Sequence, residues 1–238
     1  MVKNFKLKPP FFEIGPKTYA WGQDIVDLAL AADEISERYD VDIIFTAAYT
    51  ELEKLSSLTK RLFVFAPHMD AINPGRGIGA VLPEAVQATG AAGVMLNHAE
   101  KPITYDALRH SIARADELGL ATIVCANSLA EIKAIALLAP NIIVAEPTEL
   151  IGTGQTSDLS YVRDSIRMVK EINPDILVLQ GAGISSGADV YRTIRAGAEA
   201  TGSSSGIMKA ADRIAMVEEM IAAARKAYDE CQAEEAAK

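Results

Sequence analysis

The feature that most constrains this chain is an alternation running from one end to the other. Short apolar, β-branched runs are separated by longer segments with helical hydrophobic spacing. The strand candidates are FFEI near Phe11, DIIFTA from Asp42, LFVFA from Leu62, GVML from Gly93, ATIVC from Ala121, NIIVA from Asn141 and ILVLQ from Ile176, with a weak last one over 200–202. Uninterrupted apolar runs bounded by turn residues suit parallel strands covered on both faces. Between them, segment 24–38 puts Ile25, Leu28, Ala29, Ala32 and Ile35 on one helical face, and 106–118, 128–138, 159–172, 188–195 and 211–228 behave alike. Gly119 and Gly197 stand where a left-handed helix stop is wanted.

Such alternation forces parallel neighbours joined by right-handed crossovers, which leaves an open doubly wound sheet or a closed barrel. A nucleotide-binding sheet should carry GxGxxG after its first strand, and this chain has Pro16-Lys17-Thr18-Tyr19 there. With 238 residues and no composition break, short repeat or low-complexity tract, the chain is expected to form one (β/α)8 barrel domain over 1–238. Only the polar tail, Cys231 to Lys238, is expected to fray.

Composition narrows the function. Half of the residues are hydrophobic, enough for a sizeable core, and the net charge of −9 argues against nucleic acid and anionic membrane surfaces as partners. An anionic ligand would therefore need a local positive site. Two cysteines, Cys125 in an apolar run and Cys231 in the tail, are too few for a disulfide framework, and no Cys/His cluster has zinc spacing. Neither metal nor cofactor is expected. The first residues, MVKNFKLKPPFF, lack the apolar stretch of a secretory signal, and no apolar run reaches the ~18 residues of a membrane span. A cytoplasmic location is the expectation.

In a barrel of this kind the reactive residues sit at the C-terminal ends of the strands. Those positions hold Lys17, then Asn97-His98-Ala99-Glu100, then Glu146-Pro147, then Gly181-Ala182-Gly183-Ile184-Ser185 and Ser203-Ser204-Ser205-Gly206. Taken singly, each has a bland reading: a lysine is usually solvated, a strand-end histidine is usually a satisfied core residue, and a Gly/Ser loop is usually a turn. Together they put one cation, one imidazole, one carboxylate and two Gly/Ser loops on one rim.

The longer stretches around them are KTY from Lys17, GAVLPEA from Gly79, LNHAE from Leu96, VCAN from Val124, AEPTELIGTG from Ala145 and GAGIS from Gly181. In this order they resemble the triosephosphate isomerase family, most closely its short archaeal-type branch, over nearly the whole chain. The resemblance implies a TIM barrel and an aldose–ketose isomerase of glycolysis and gluconeogenesis, interconverting glyceraldehyde 3-phosphate and dihydroxyacetone phosphate through an enediolate. Moving a carbon-bound proton needs a base, and the resemblance implies Glu146 for it. It implies His98 as the electrophile on the substrate oxygens, Lys17 as the cation, and Glu100 as a tether for the lysine or the histidine. Ile151, Gly152, Gly183, Ser204, Ser205 and Gly206 are implied to hold the phosphate, mostly by backbone N–H groups. His68 and His110 lack such context and read as structural or exposed.

The family also implies a homodimer or homotetramer, with the loop 72–79 reaching a partner's site. Three positions depart from the family pattern. Gly15 stands where the family has Asn, Ala99 where it usually has Ser, and Ile78 where a Thr is usual. Each change removes a polar group beside the reacting centre, worth about 0.5–1.5 kcal/mol per lost hydrogen bond. A sister isomerase acting on a longer phosphosugar, such as a tetrulose phosphate, and a barrel that binds a phosphosugar without catalysis both stay open on this evidence.

Overall fold

The structure, a computed structural model, describes residues 1–3, 5–147, 158–181 and 183–237. Strands and helices alternate as the periodicity predicts: β1 Phe11–Ile14, α1 Gln23–Tyr39, β2 Asp42–Thr46, α2 Leu52–Leu58, β3 Phe63–Ala66, α3 Pro83–Ala88, β4 Gly93–Leu96 and α4 Tyr105–Leu118. They continue with β5 Ala121–Ala126, α5 Leu129–Ala136, β6 Ile142–Ala145, α6 Leu159–Ile172, β7 Leu177–Gln180, α7 Gly187–Arg195, β8 Ala200–Ser203, α8 Ser205–Met208 and α9 Arg213–Ala236. Each strand lies parallel to the next, and β8 pairs back onto β1, so the eight strands close a barrel.

Strand alternation splits the apolar residues into two cores. Phe11, Ile44, Phe65, Ile123, Ile142 and Leu179 point inward and fill the barrel. Phe12 and Ile14 belong to the outer core, between the barrel and helices such as α1, which contributes Ile25, Leu28, Ala29, Ala32 and Ile35. Phe5 closes the lower end, with its ring edge-on to Phe63 and Phe65 at 5.3 and 5.9 Å. Among the described residues, no helix is long and apolar enough to cross a membrane.

Helix ends follow local chemistry. Thr104, Ser128, Asp158, Ser186 and Asp212 each cap a helix by accepting a backbone N–H, an interaction worth about 1 kcal/mol apiece. Gly119 stops α4 at φ 73° and Gly197 follows α7 at φ 103°, as their positions in the sequence predict.

One element differs from the sequence expectation. Residues after Cys231, expected to fray, continue α9 to Ala236. They are held against α7, where Arg195 reaches Glu234 at 2.7 Å and Cys231 Sγ at 3.4 Å, and Tyr191 bonds Glu230. The last strand, ATGS, is weak in sequence because two of its four residues serve close packing and polar contact. A Cβ on Gly202 would fall 2.8 Å from the Glu13 carbonyl oxygen, and Thr201 Oγ1 donates to Gln180 O at 2.8 Å.

Candidate active site

The C-terminal end of the barrel opens into a cavity of about 860 Å³. Lys17, Glu100, His98, Glu146, Gly183, Ser204 and Ser205 all line it, so one site gathers residues that follow β1, β4, β6, β7 and β8. Lys17 lies in the loop after β1, beyond Gly15 and Pro16, and takes a left-handed backbone, φ 51°. For a residue with a side chain that conformation costs about 1–3 kcal/mol, and such outliers cluster at functional sites. Its Nζ donates to Glu100 Oε1 at 2.7 Å. That bond is the first cause holding the Glu100 carboxyl below the usual range.

Asn97 turns the chain after β4. It adopts φ 57°, which asparagine tolerates better than most residues. Its Nδ2 donates to Cys125 O and Glu131 Oε1, both at 3.0 Å, and its Oδ1 accepts the Ile103 N–H at 3.2 Å. The turn is thereby fixed, and His98 projects from it onto the cavity wall. The Glu100 backbone N–H donates to His98 Nδ1 at 3.1 Å. Burial, and then the Lys17 charge, lower the His98 pKa from 6.5, while Glu100 opposes them. Glu100 thus touches both: its carboxylate accepts from Lys17, and its backbone N–H donates to His98.

Glu146 emerges at the β6 end, its N–H bonded to Ala126 O at 2.9 Å. Its side chain lies across Gly181. A Cβ there would meet Glu146 Cβ at 2.9 Å and Cδ at 3.1 Å, so only glycine leaves the carboxylate its place. Gly183 turns at φ 73°, and Ser203 Oγ donates to Ile184 O at 2.8 Å, tying the loops after β7 and β8 together. Gly206 is not among the described residues that line the cavity. It packs behind them, where a Cβ would meet Ile184 O and Ser203 Oγ at 2.6 Å. Ile151 and Gly152 lie outside the described residues.

Of the two histidines read as structural or exposed, His68 is buried on the cavity wall beside Asp70, 3.2 Å from its Oδ1, and His110 is exposed on α4. Glu13 lies inside the barrel mouth, and Thr46 Oγ1 donates to its Oε1 at 2.6 Å. Burial, as the first cause, raises the Glu13 carboxyl to about 7. The period-2 pattern of FFEI held the signal for it, since Glu13 must share the face of Phe11. Burial also pushes the Cys125 thiol well up, which leaves no thiolate there. Among the described residues, no group of three or more His, Cys, Asp or Glu is placed to hold a metal ion.

Comparison with known proteins gives the family. A family model described as triosephosphate isomerase matches residues 16–222. A triosephosphate isomerase from Sulfurisphaera tokodaii is 37% identical over 227 residues, covering 94% of this chain and 99% of the relative. One from Methanocaldococcus jannaschii is 37% identical over 213 residues, covering 87% and 97%, and one from Methanosarcina mazei is 36% identical over 217, covering 89% and 97%.

The chain belongs to the triosephosphate isomerase family.

A small cavity of about 60 Å³ lies beside Ala99, bordered by Asn97, Cys125, Glu131 and Glu146. The place next to Gly15 is taken by the Glu13 carboxyl, 3.1 Å from where a Gly15 Cβ would stand. Ile78 projects fully into solvent.

Proposed function

We propose that this protein is a triosephosphate isomerase, interconverting glyceraldehyde 3-phosphate and dihydroxyacetone phosphate in the cytoplasm. The observation that carries the reading is the convergence of Lys17, His98 and Glu146 on one cavity at the C-terminal end of the barrel. The Glu146 carboxylate takes the carbon-bound proton beside the carbonyl and returns it to the neighbouring carbon. Neutral His98 donates from Nε2 to the substrate oxygens, since its Nδ1 already accepts the Glu100 N–H. As the proton leaves carbon, negative charge gathers on those oxygens, and the Lys17 cation offsets it. Glu100 holds Lys17 and His98 in register.

Gly183, Ser204 and Ser205, on the lip of the same cavity, are assigned to the phosphate together with Ile151, Gly152 and Gly206. Backbone N–H groups at a helix start favour an anion, and α8 begins at Ser205. The fully exposed Ile78 supports assembly into a homodimer or homotetramer, where the loop carrying it packs against a second copy. A coupled spectrophotometric assay in both directions tests the function. Turnover of the two triose phosphates well above that of a tetrulose phosphate is expected, and the reverse order overturns the assignment.

A further inference from the structure

The reading above uses Lys17, His98 and Glu146, yet another carboxyl stands in the same cavity. Glu13 faces inward on β1, two residues beyond Phe11 of the inner core. Its partner in register on β8 is Gly202. A Cβ on Gly202 would lie 3.1 Å from Glu13 Oε2, and one on Gly15 would lie 3.1 Å from Oε1. Two glycines, on opposite sides, thus leave the room that the carboxyl fills. Thr46 Oγ1 donates to Oε1 at 2.6 Å, which makes that oxygen an acceptor and leaves Oε2 for the proton.

We propose that Glu13 contacts the substrate, its carboxylic O–H donating from Oε2 to a hydroxyl or carbonyl oxygen at the reacting end of the phosphosugar. This rests on the isomerase reading and adds to it a residue that sets how the substrate is held.

The surroundings favour the neutral acid. Burial raises the Glu13 carboxyl most, the Thr46 hydrogen bond lowers it, the Glu146 charge raises it again and Lys17 lowers it, with the balance at about 7. Cys125, His98, Glu100 and Lys101 are the other titratable groups of β5 and the β4 loop on this cavity, joined by Tyr19, Tyr49, His68 and Asp70 from the loops after β1, β2 and β3, and Cys125 stays a neutral thiol. An ionised Glu13 would repel charge developing on the substrate oxygens, whereas the neutral acid stabilises it by donation. Raising the pH through 7 therefore replaces a donor with an anion.

The test compares the wild type with Glu13→Leu and Glu13→Gln, after circular dichroism has verified that each is folded. Two quantities are read: KM for triose phosphate, and calorimetric Kd for phosphoglycolate with inorganic phosphate as control. Glu13→Leu is expected to raise KM and the phosphoglycolate Kd by about tenfold or more, with inorganic phosphate changed by less than about threefold. Glu13→Gln keeps an N–H donor and should recover most of that loss. The wild-type to Glu13→Gln affinity ratio should fall about tenfold between pH 6 and pH 9, with its midpoint near 7. Titration of the ligand phosphate and of His98 is common to both proteins and cancels in the ratio. Unchanged KM and Kd in Glu13→Leu, or a ratio flat with pH, overturns the proposal. If Glu13→Leu does not fold, the ratio decides alone. A wild type inactive on triose phosphates would overturn the isomerase reading, while phosphoglycolate binding would still report on Glu13.

Discussion

The backbone N–H of Glu100 donates to Nδ1 of His98 across 3.1 Å. A ring nitrogen that accepts carries no proton, so the neutral imidazole is protonated at Nε2. Burial and the Lys17 charge lower the His98 pKa below 6.5, which keeps the ring neutral where an isomerase works. Nitrogen NMR of the labelled protein should show Nε2–H and a titration midpoint for His98 below 6.5. A midpoint above that value would mean that an imidazolium is the donor.

Glu146→Gln keeps the size of the side chain and removes the base. Isomerase turnover should drop by about a thousandfold, within the range that positioned acid–base groups contribute. Affinity for inorganic phosphate should stay within about threefold, because the anion loops are untouched. Near-normal turnover in this variant would remove Glu146 from the mechanism.

Gly181→Ala probes positioning without touching a reacting group. The new methyl would stand 2.9 Å from Glu146 Cβ, so the carboxylate has to shift. A displacement approaching 1 Å costs up to about a hundredfold in rate. Turnover should fall by about ten- to a hundredfold while KM changes little. Steady-state kinetics at saturating substrate separates the two.

Glu13 also makes stability depend on pH. Below its ordinary value of 4.5 the carboxyl is protonated in folded and unfolded chains alike, and it costs nothing. As pH rises from 4.5 to about 7, the unfolded chain releases the proton and the folded one keeps it, so stability falls. Above about 7 the whole cost is present, on the order of 3 kcal/mol at most for a shift of this size. Glu13→Gln should therefore melt higher than the wild type at pH 8, with the gap closing toward pH 4.5. Parallel melting curves across that range check the sign.

Ile78 is a fully exposed branched apolar side chain. Burying one isoleucine is worth about 1.5–3 kcal/mol, so Ile78→Asp should weaken self-association and activity together. Sedimentation velocity at micromolar concentration measures the first, and an assay at the same concentration the second. A fully active monomer would show that the loop 72–79 serves no interface.

What the sequence determined by itself was local and periodic. Strand alternation and helical spacing reach over a few residues, so the order of elements and the C-terminal stops at Gly119 and Gly197 were legible from residue types alone. The positions of Lys17, His98 and Glu146 followed, since a strand end is a place in the sequence. Tertiary structure decided what depends on distance between strands far apart in the chain. The last strand, poor in apolar residues, exists because β1 and β7 supply its hydrogen bonds on both sides. The chain after Cys231 continues the helix, with Arg195 of α7 bonded to Glu234. Glu13 reads in sequence as one polar residue in an apolar strand. It becomes a buried acid only when Thr46, Gly15 and Gly202 meet around it, and residues separated by up to 189 positions come together only when the barrel closes.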